Sequence, residues 1–336
     1  MKQNGVSLVT ITIAAITGGV VSYLFLEPGR PIVAALPPAT APAHVAADCA
    51  YTFARVEGFN RVRPLLYSEP LCESPRFESL RGSITAMVDG FKATGQVTSA
   101  SVYVRDFQQG EWTWYNGDEP YDPGSMLKVA LLLTYLSMSE EDPDLMKRTW
   151  TCEKVDFDVP QVTAFPSTQV GANVSYTVAQ LLEYMIVHSD NRATAMLLRH
   201  VSPARYIRTY TDLGLPPPDQ HGKRYQMNVR DYSVFMKALY NSSLLGPLES
   251  ERALEMMTRA DFNKGFVAGL PTGIDIAHKF GEAGDDKEKQ LHETGLVYAE
   301  GNPYLITVMT RGPNVDSLAS AISSVSRLVY ERMRVH

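Results

Sequence analysis

The spacing of apolar and polar residues changes period several times along the chain. Residues 5–26 carry no charge and are dominated by valine, isoleucine and leucine. As a helix rising about 1.5 Å per residue, the run spans roughly 33 Å, enough to cross a bilayer. Lys2 and the chain amine precede it, which favours a cytoplasmic N-terminus and a body on the far side. The run is longer than a typical signal-peptide core and no small-x-small site follows closely, so a retained anchor is expected over a cleaved leader. Residues 27–47 are rich in proline and alanine and read as an extended linker. The expected division is thus 1–26 as anchor or signal segment, 27–47 as linker and 48–336 as the working domain.

Within that domain, residues 75–92 place Phe77, Leu80, Ile84, Met87, Val88 and Phe91 at helical intervals. Alternation then appears at 101–104 and 111–115, split by Gln108-Gln109-Gly110, which predicts a β-hairpin. Residues 125–260 follow a helical period, with stop signals at Asp142-Pro143, Pro203 and Pro216-Pro217-Pro218. Three strand-like runs come next, at 274–280, 291–299 and 304–311, before a closing amphipathic helix from Leu318 to Met333. Two strands, a helical block and three more strands do not make the alternating βαβ rhythm of a parallel sheet. The expected fold is α+β: an antiparallel sheet of about five strands flanked by helices (48–124 and 261–336), plus an all-helical lobe (125–260). A cleft between the two is the default place for a site.

Composition narrows the function. The 336 residues are 45% hydrophobic and 20% charged, which excludes long-range disorder. A net charge of −6 argues against a nucleic-acid partner, which would need a basic face. There is no Gly-rich phosphate loop, no C-x-x-C, and no ligand spacing among the seven histidines, so neither a cofactor nor a metal is expected. Of the three cysteines, Cys49 and Cys72 can close a short loop outside the membrane and leave Cys152 single.

Three short strings carry candidate chemistry. Ser125-Met126-Leu127-Lys128 opens an apolar helix, where positions three apart share a face and Lys128 can reach Ser125. A serine hydroxyl needs a neighbouring base near pH 7, and a lysine buried near other cations can lose enough pKa to be one. The helix N-terminus adds N–H groups for an oxyanion. Ser189-Asp190-Asn191 follows the helical run Val178–Val187. Ser189 suits a proton relay between Lys128 and a leaving group, Asn191 a substrate amide, and Asp190 the bracing of the turn. Lys279-Phe280-Gly281 lies on a predicted strand. Lys279 offers positive charge to a substrate carboxylate and to the depression of the Lys128 pKa, and Gly281 permits close backbone approach.

The order and setting of these strings resemble the penicillin-recognising serine hydrolases, namely class A β-lactamases and penicillin-binding D-Ala-D-Ala peptidases, with their S-x-x-K, S-D-N and K-T-G motifs. The resemblance covers roughly residues 75–335. It implies Ser125 as nucleophile, Lys128 as its base, Ser189 as proton shuttle, Asn191 as a substrate contact and Lys279 as a carboxylate anchor. It also implies an oxyanion hole from the backbone N–H groups of Ser125 and Glu282.

Two departures stand out. Phe280 occupies the place of the family's threonine or serine, so a substrate carboxylate would need another partner, with His292, Thr294 or Lys289 as candidates. The family's omega-loop glutamate is also missing, since the stretch 184–248 contains no Glu and the corresponding loop, 214–228, offers only Asp219 and His221. The expectation is a membrane-anchored serine hydrolase, class A-like, acylated at Ser125 by β-lactams or D-Ala-D-Ala peptides and slow to release a β-lactam. A carboxypeptidase or transpeptidase of peptidoglycan, and a non-turnover β-lactam sensor or pseudoenzyme, are the alternatives. The membrane is a partner through the N-terminal segment, and a monomer is expected. The body would be extracytoplasmic, or secreted or periplasmic if the segment is cleaved.

Overall fold

A computed structural model describes residues 49–56, 60–161, 163–218, 225–299 and 302–334, together with the backbone of two N-terminal strands. Those strands, β1 (Leu8–Ala14) and β2 (Val20–Leu26), pair antiparallel, Leu8 opposite Leu26. They correct the expected membrane helix. The run is rich in valine, isoleucine and threonine, whose branched side chains are restricted in a helix and suit a strand. Among the described residues no helix is long and apolar enough to cross a membrane. The linker at 27–47 lies outside the described residues.

The body opens with a hairpin that periodicity does not single out, β3 (Tyr51–Arg55) and β4 (Leu65–Pro70). A disulfide between Cys49 and Cys72, as expected, closes its base. Cys152 is free and buried. Helix α1 (Glu78–Ala93) buries Leu80, Ile84 and Val88 at four-residue intervals. Strands β5 (Ser99–Asp106) and β6 (Trp112–Tyr115) form the expected hairpin. A 3-10 turn over Gly124–Leu127 leads into α2 (Lys128–Glu141), which is buried almost all round and ends before Asp142-Pro143. A small ladder joins β7 (Thr149–Thr151), beyond which lies α3 (Lys154–Phe157), to β8 (Ser175–Thr177). The helical lobe continues through α4 (Val178–Val187), α5 (Asn191–His200), α6 (Pro203–Asp212), α7 (Val229–Tyr240) and α8 (Pro247–Thr258). Pro203 follows the end of α5 at His200, as its stop signal predicts, and also opens α6 at its first position, where a missing N–H costs nothing. The short α9 (Phe266–Gly269) precedes β9 (Ile276–Gly284), β10 (Lys289–Val297), β11 (Tyr304–Gly312) and α10 (Val315–Met333).

Early and late strands share one antiparallel five-stranded sheet, ordered β6-β5-β11-β10-β9. The chain is therefore α+β, as expected. Along β11 the residues alternate between two cores. Tyr304, Ile306 and Val308 join α1 and α10, whereas Leu305 and Met309 join the helical lobe. Because both faces are covered, these strands read as nearly continuous apolar runs.

A buried ionic knot fastens the β3–β4 hairpin to this body. Glu69, 1% exposed, accepts from Lys237 Nζ at 2.8 Å, Arg105 Nη1 at 2.9 Å and Arg230 Nη2 at 3.2 Å. Burial alone would raise its carboxyl pKa, but the three cations outweigh burial and hold it below the usual range. Glu69→Gln would leave buried cations without their counter-charge. It should cost about 3–5 kcal/mol of stability, read by urea denaturation, whereas a loss under about 1 kcal/mol would show that the knot is not a fastener.

Candidate active site

Ser125 owes its position to two glycines. Gly124 has φ +53° and a Cβ there would lie 2.3 Å from Glu282 O; at Gly281 a Cβ would lie 2.3 Å from Pro123 O and 2.8 Å from Met126 N. Strand β9 thus lies backbone to backbone against the 3-10 turn, which brings the main chain of Glu282 beside that of Ser125. The turn is tied further by Asp122 Oδ1, which accepts from Gly124 N at 3.1 Å, and by Tyr232, which donates to Met126 O at 2.6 Å. Ser125 is 6% exposed, and among the described residues no side-chain hydrogen bond reaches its Oγ.

Lys128, the first residue of α2, is buried behind the turn. Sequence spacing predicts a contact with Ser125, but the ammonium donates instead to Ser189 O at 2.5 Å, Asn191 Oδ1 at 2.8 Å and Ser189 Oγ at 3.3 Å. These are all three of its protons. Desolvation lowers its pKa to about 7, against a smaller opposing pull from Asp190. Lys279 Nζ donates to the same Ser189 Oγ at 2.9 Å and to Phe280 O at 3.0 Å. Burial, and next the charge of Lys128, push the Lys279 pKa well below the ordinary lysine value, while Glu293 pulls the other way. Ser189 Oγ therefore bridges two lysines. Its backbone sits at φ +54°, a left-handed conformation that costs a non-glycine residue about 1 kcal/mol or more.

Asp190 braces the turn as expected. It caps α5 by accepting from Arg192 N at 2.8 Å, and it also accepts from Gln161 Nε2 at 2.9 Å and Val170 N at 2.7 Å. The expected role of Asn191 is to face a substrate amide. It lines the cavity, but its Oδ1 is held by Lys128 and its Nδ2 donates to Pro160 O at 3.0 Å.

The cavity at Ser125 is small, about 20 Å³, room for one water. Phe280 and Glu282 line it from β9, and Gln161, Thr163, Phe165, Ser167 and Gln169 line it from the segment after α3. The segment is held down at both edges. Glu282 Oε2 accepts from Thr163 Oγ1 at 2.9 Å and Ala164 N at 3.0 Å, while Ser167 Oγ donates to Asp261, which also holds His188 Nδ1 at 2.6 Å. Sequence reasoning misses this whole segment, because it has no period and no motif. Its one signal in the chain is its place between two motif-bearing helices.

The expected substitutes for the missing Phe280 hydroxyl are corrected. His292 is fully buried, its Nδ1 accepting from Thr310 N at 3.1 Å and its Nε2 donating to Asp122 O at 2.9 Å. Those partners require the neutral ring, and desolvation lowers its pKa to about 3. Thr294 shares a hydrogen bond with Thr307 at 2.8 Å inside the sheet, and Lys289 pairs with Asp286 at 3.5 Å. None of the three lines the cavity at Ser125. Asp219 and His221 lie outside the described residues.

A serine on a turn, a buried lysine three residues on, and a second serine bridging two lysines lie together at the site of a serine hydrolase. The chain belongs to the beta-lactamase enzyme family, whose profile matches residues 79–333. Among solved structures it is similar to PBP-A (25% identical, TM-score 0.64, covering 77% of this chain and 97% of that one). It is also similar to a beta-lactamase from Burkholderia phymatum (18% identical, TM-score 0.63, covering 76% and 100%). A third relative is a point mutant of PBP-A in an acyl-enzyme complex with penicillin G (23% identical, TM-score 0.63, covering 75% and 96%). No curated protein matches the chain in sequence.

Gly281→Ala tests the backbone contact. The new methyl meets main-chain atoms, so β9 must lift from the Ser125 turn at a cost of about 1–3 kcal/mol. A thermal melt should shift down accordingly, and labelling of Ser125 by a fluorophosphonate should slow at least tenfold. Unchanged labelling would show that the approach does not position the serine.

Proposed function

We propose that this serine hydrolase works by acyl transfer through an ester on Ser125. The observation that carries the reading is the Lys128 amine, buried beside the Ser125 turn with a pKa near pH 7. In its neutral form it has a lone pair for the Ser125 proton. Ser125 Oγ attacks the carbonyl carbon, the carbonyl electron pair moves to oxygen, and the N–H groups of Ser125 and Glu282 receive that oxyanion. The C–N bond then breaks, and the leaving nitrogen takes a proton from Lys128 through Ser189 Oγ, whose place between Lys128 and Lys279 supports this path.

The acyl donors of this reading are β-lactams or D-Ala-D-Ala peptides. Support comes from the family, and from the penicillin G acyl-enzyme formed by a structural relative. Release of a β-lactam acyl group needs a base directed at water, and residues 184–248 supply no glutamate for it. The adduct is therefore long-lived. That same feature favours a peptidase or a penicillin-binding sensor over a fast β-lactamase. The Cys49–Cys72 disulfide supports a working place outside the cytoplasm.

Intact mass of the full chain mixed with penicillin G tests the scheme. One drug mass should appear on Ser125, persist for hours and be absent in Ser125→Ala. Rapid loss of the adduct with consumption of penicillin, retained in Asp219→Asn and His221→Ala, would refute slow release. A folded protein that never gains the mass would refute acyl transfer from β-lactams.

The acylation rate should also follow pH. Neutral Lys128 is the reactive form, so the rate should rise as pH increases through about 7 and level off above it. A profile flat from pH 5 to 9 would remove Lys128 as the base.

A further inference from the structure

The charges around the Ser125 cavity run opposite to what an anionic substrate needs. Among the described residues that line it there is no lysine or arginine. The carboxylate of Glu282 faces the space, and the nearby imidazole of His188 is already paired with Asp261. Three cations lie close by but behind other groups. Lys128 is committed to Ser189 and Asn191. Lys279, 1% exposed, is committed to Ser189 and the Phe280 carbonyl, with its ammonium 4.3 Å from the centre of the Phe280 ring. Lys264 lies over the Phe165 ring and pairs with Asp316 at 3.4 Å.

Where a hydroxyl would greet a carboxylate there is an aromatic wall. Phe280 stacks on Phe262 with centroids 4.4 Å apart, and Phe165 meets it edge-on at 6.1 Å. His292 on the next strand, directly across from Gly281, is neutral and occupied by backbone on both nitrogens. The segment bearing Thr163 and Ala164 borders the same space, and both residues donate to the Glu282 carboxylate. A carboxylate beside an aromatic face suits an ammonium or an amide N–H and repels an anion.

Resting on the acyl-transfer reading of Ser125, we propose that this site takes acyl donors that are neutral or cationic beside the scissile bond, and discriminates against those bearing a carboxylate there. Glu282 and Phe280 are the residues that set the preference.

Benzylpenicillin, its methyl ester and its diethylaminoethyl ester present one β-lactam ring with an anionic, a neutral and a cationic substituent. Their rates of Ser125 acylation in the full chain, read by intact mass and divided by each compound's rate with hydroxide, isolate the effect of charge. The methyl ester should exceed the acid at least tenfold, and the cationic ester should equal or exceed the methyl ester. Glu282→Gln should remove any advantage of the cationic over the neutral ester, and Phe280→Thr should narrow the gap between acid and methyl ester. An acid that acylates as fast as the esters overturns the proposal, as does failure of both esters in protein whose Ser125 still reacts with a fluorophosphonate. Loss of the fluorophosphonate reaction itself, in folded protein, would instead overturn the reading of Ser125 as nucleophile.

Discussion

Everything at this site depends on two stretches of backbone being allowed to touch. A β-strand and a 3-10 turn ordinarily keep side chains between them. Here Gly124 and Gly281 remove both, and the main chain of β9 comes to rest on the turn that carries Ser125. The contact joins the sheet to the first helix of the helical lobe, so Ser125 lies on the seam between the two cores. It also brings together main-chain atoms of two elements distant in sequence.

The same seam concentrates cost. Two lysines are buried at one serine hydroxyl, with no carboxylate among the described residues in direct contact with either ammonium, and the serine that bridges them has a strained backbone. The Glu69 knot makes a useful contrast. There a buried lysine, Lys237, meets a carboxylate at 2.8 Å, and desolvation still lowers its pKa to about 8. Without such a partner Lys128 falls to about 7. One arrangement keeps its cation charged and fastens the fold. The other weakens its hold on a proton, which is a liability for stability and the property a base needs.

Much of this is legible in the chain. The α+β order, the β5–β6 hairpin, the three late strands, the closing helix and the three motif strings all depend on local period or on residues close in sequence. What is not legible depends on contacts far apart in sequence. The β3–β4 hairpin is held by a disulfide and by Glu69 reaching α7, and the segment covering Ser125 is held by Glu282, Asp190 and Asp261. The apolar N-terminal run reads as a helix only while length and hydrophobicity are weighed above its branched residues. Helical spacing pairs Lys128 with Ser125, yet three acceptors on the Ser189–Asn191 turn capture its ammonium.

The class of chemistry is written in residues close along the chain: a serine with a lysine one turn on, a second serine in its own motif, and a lysine and glycine on a late strand. So is the fact that Phe280 puts no hydroxyl in the third motif. What stands in the place of that hydroxyl is a matter of three-dimensional packing. His292 and Thr294 are equal candidates on paper, because a sequence cannot say whether a polar side chain already has partners. Folding gives both of them partners, and it sets Glu282 and the rings of Phe165 and Phe280 around the cavity at Ser125.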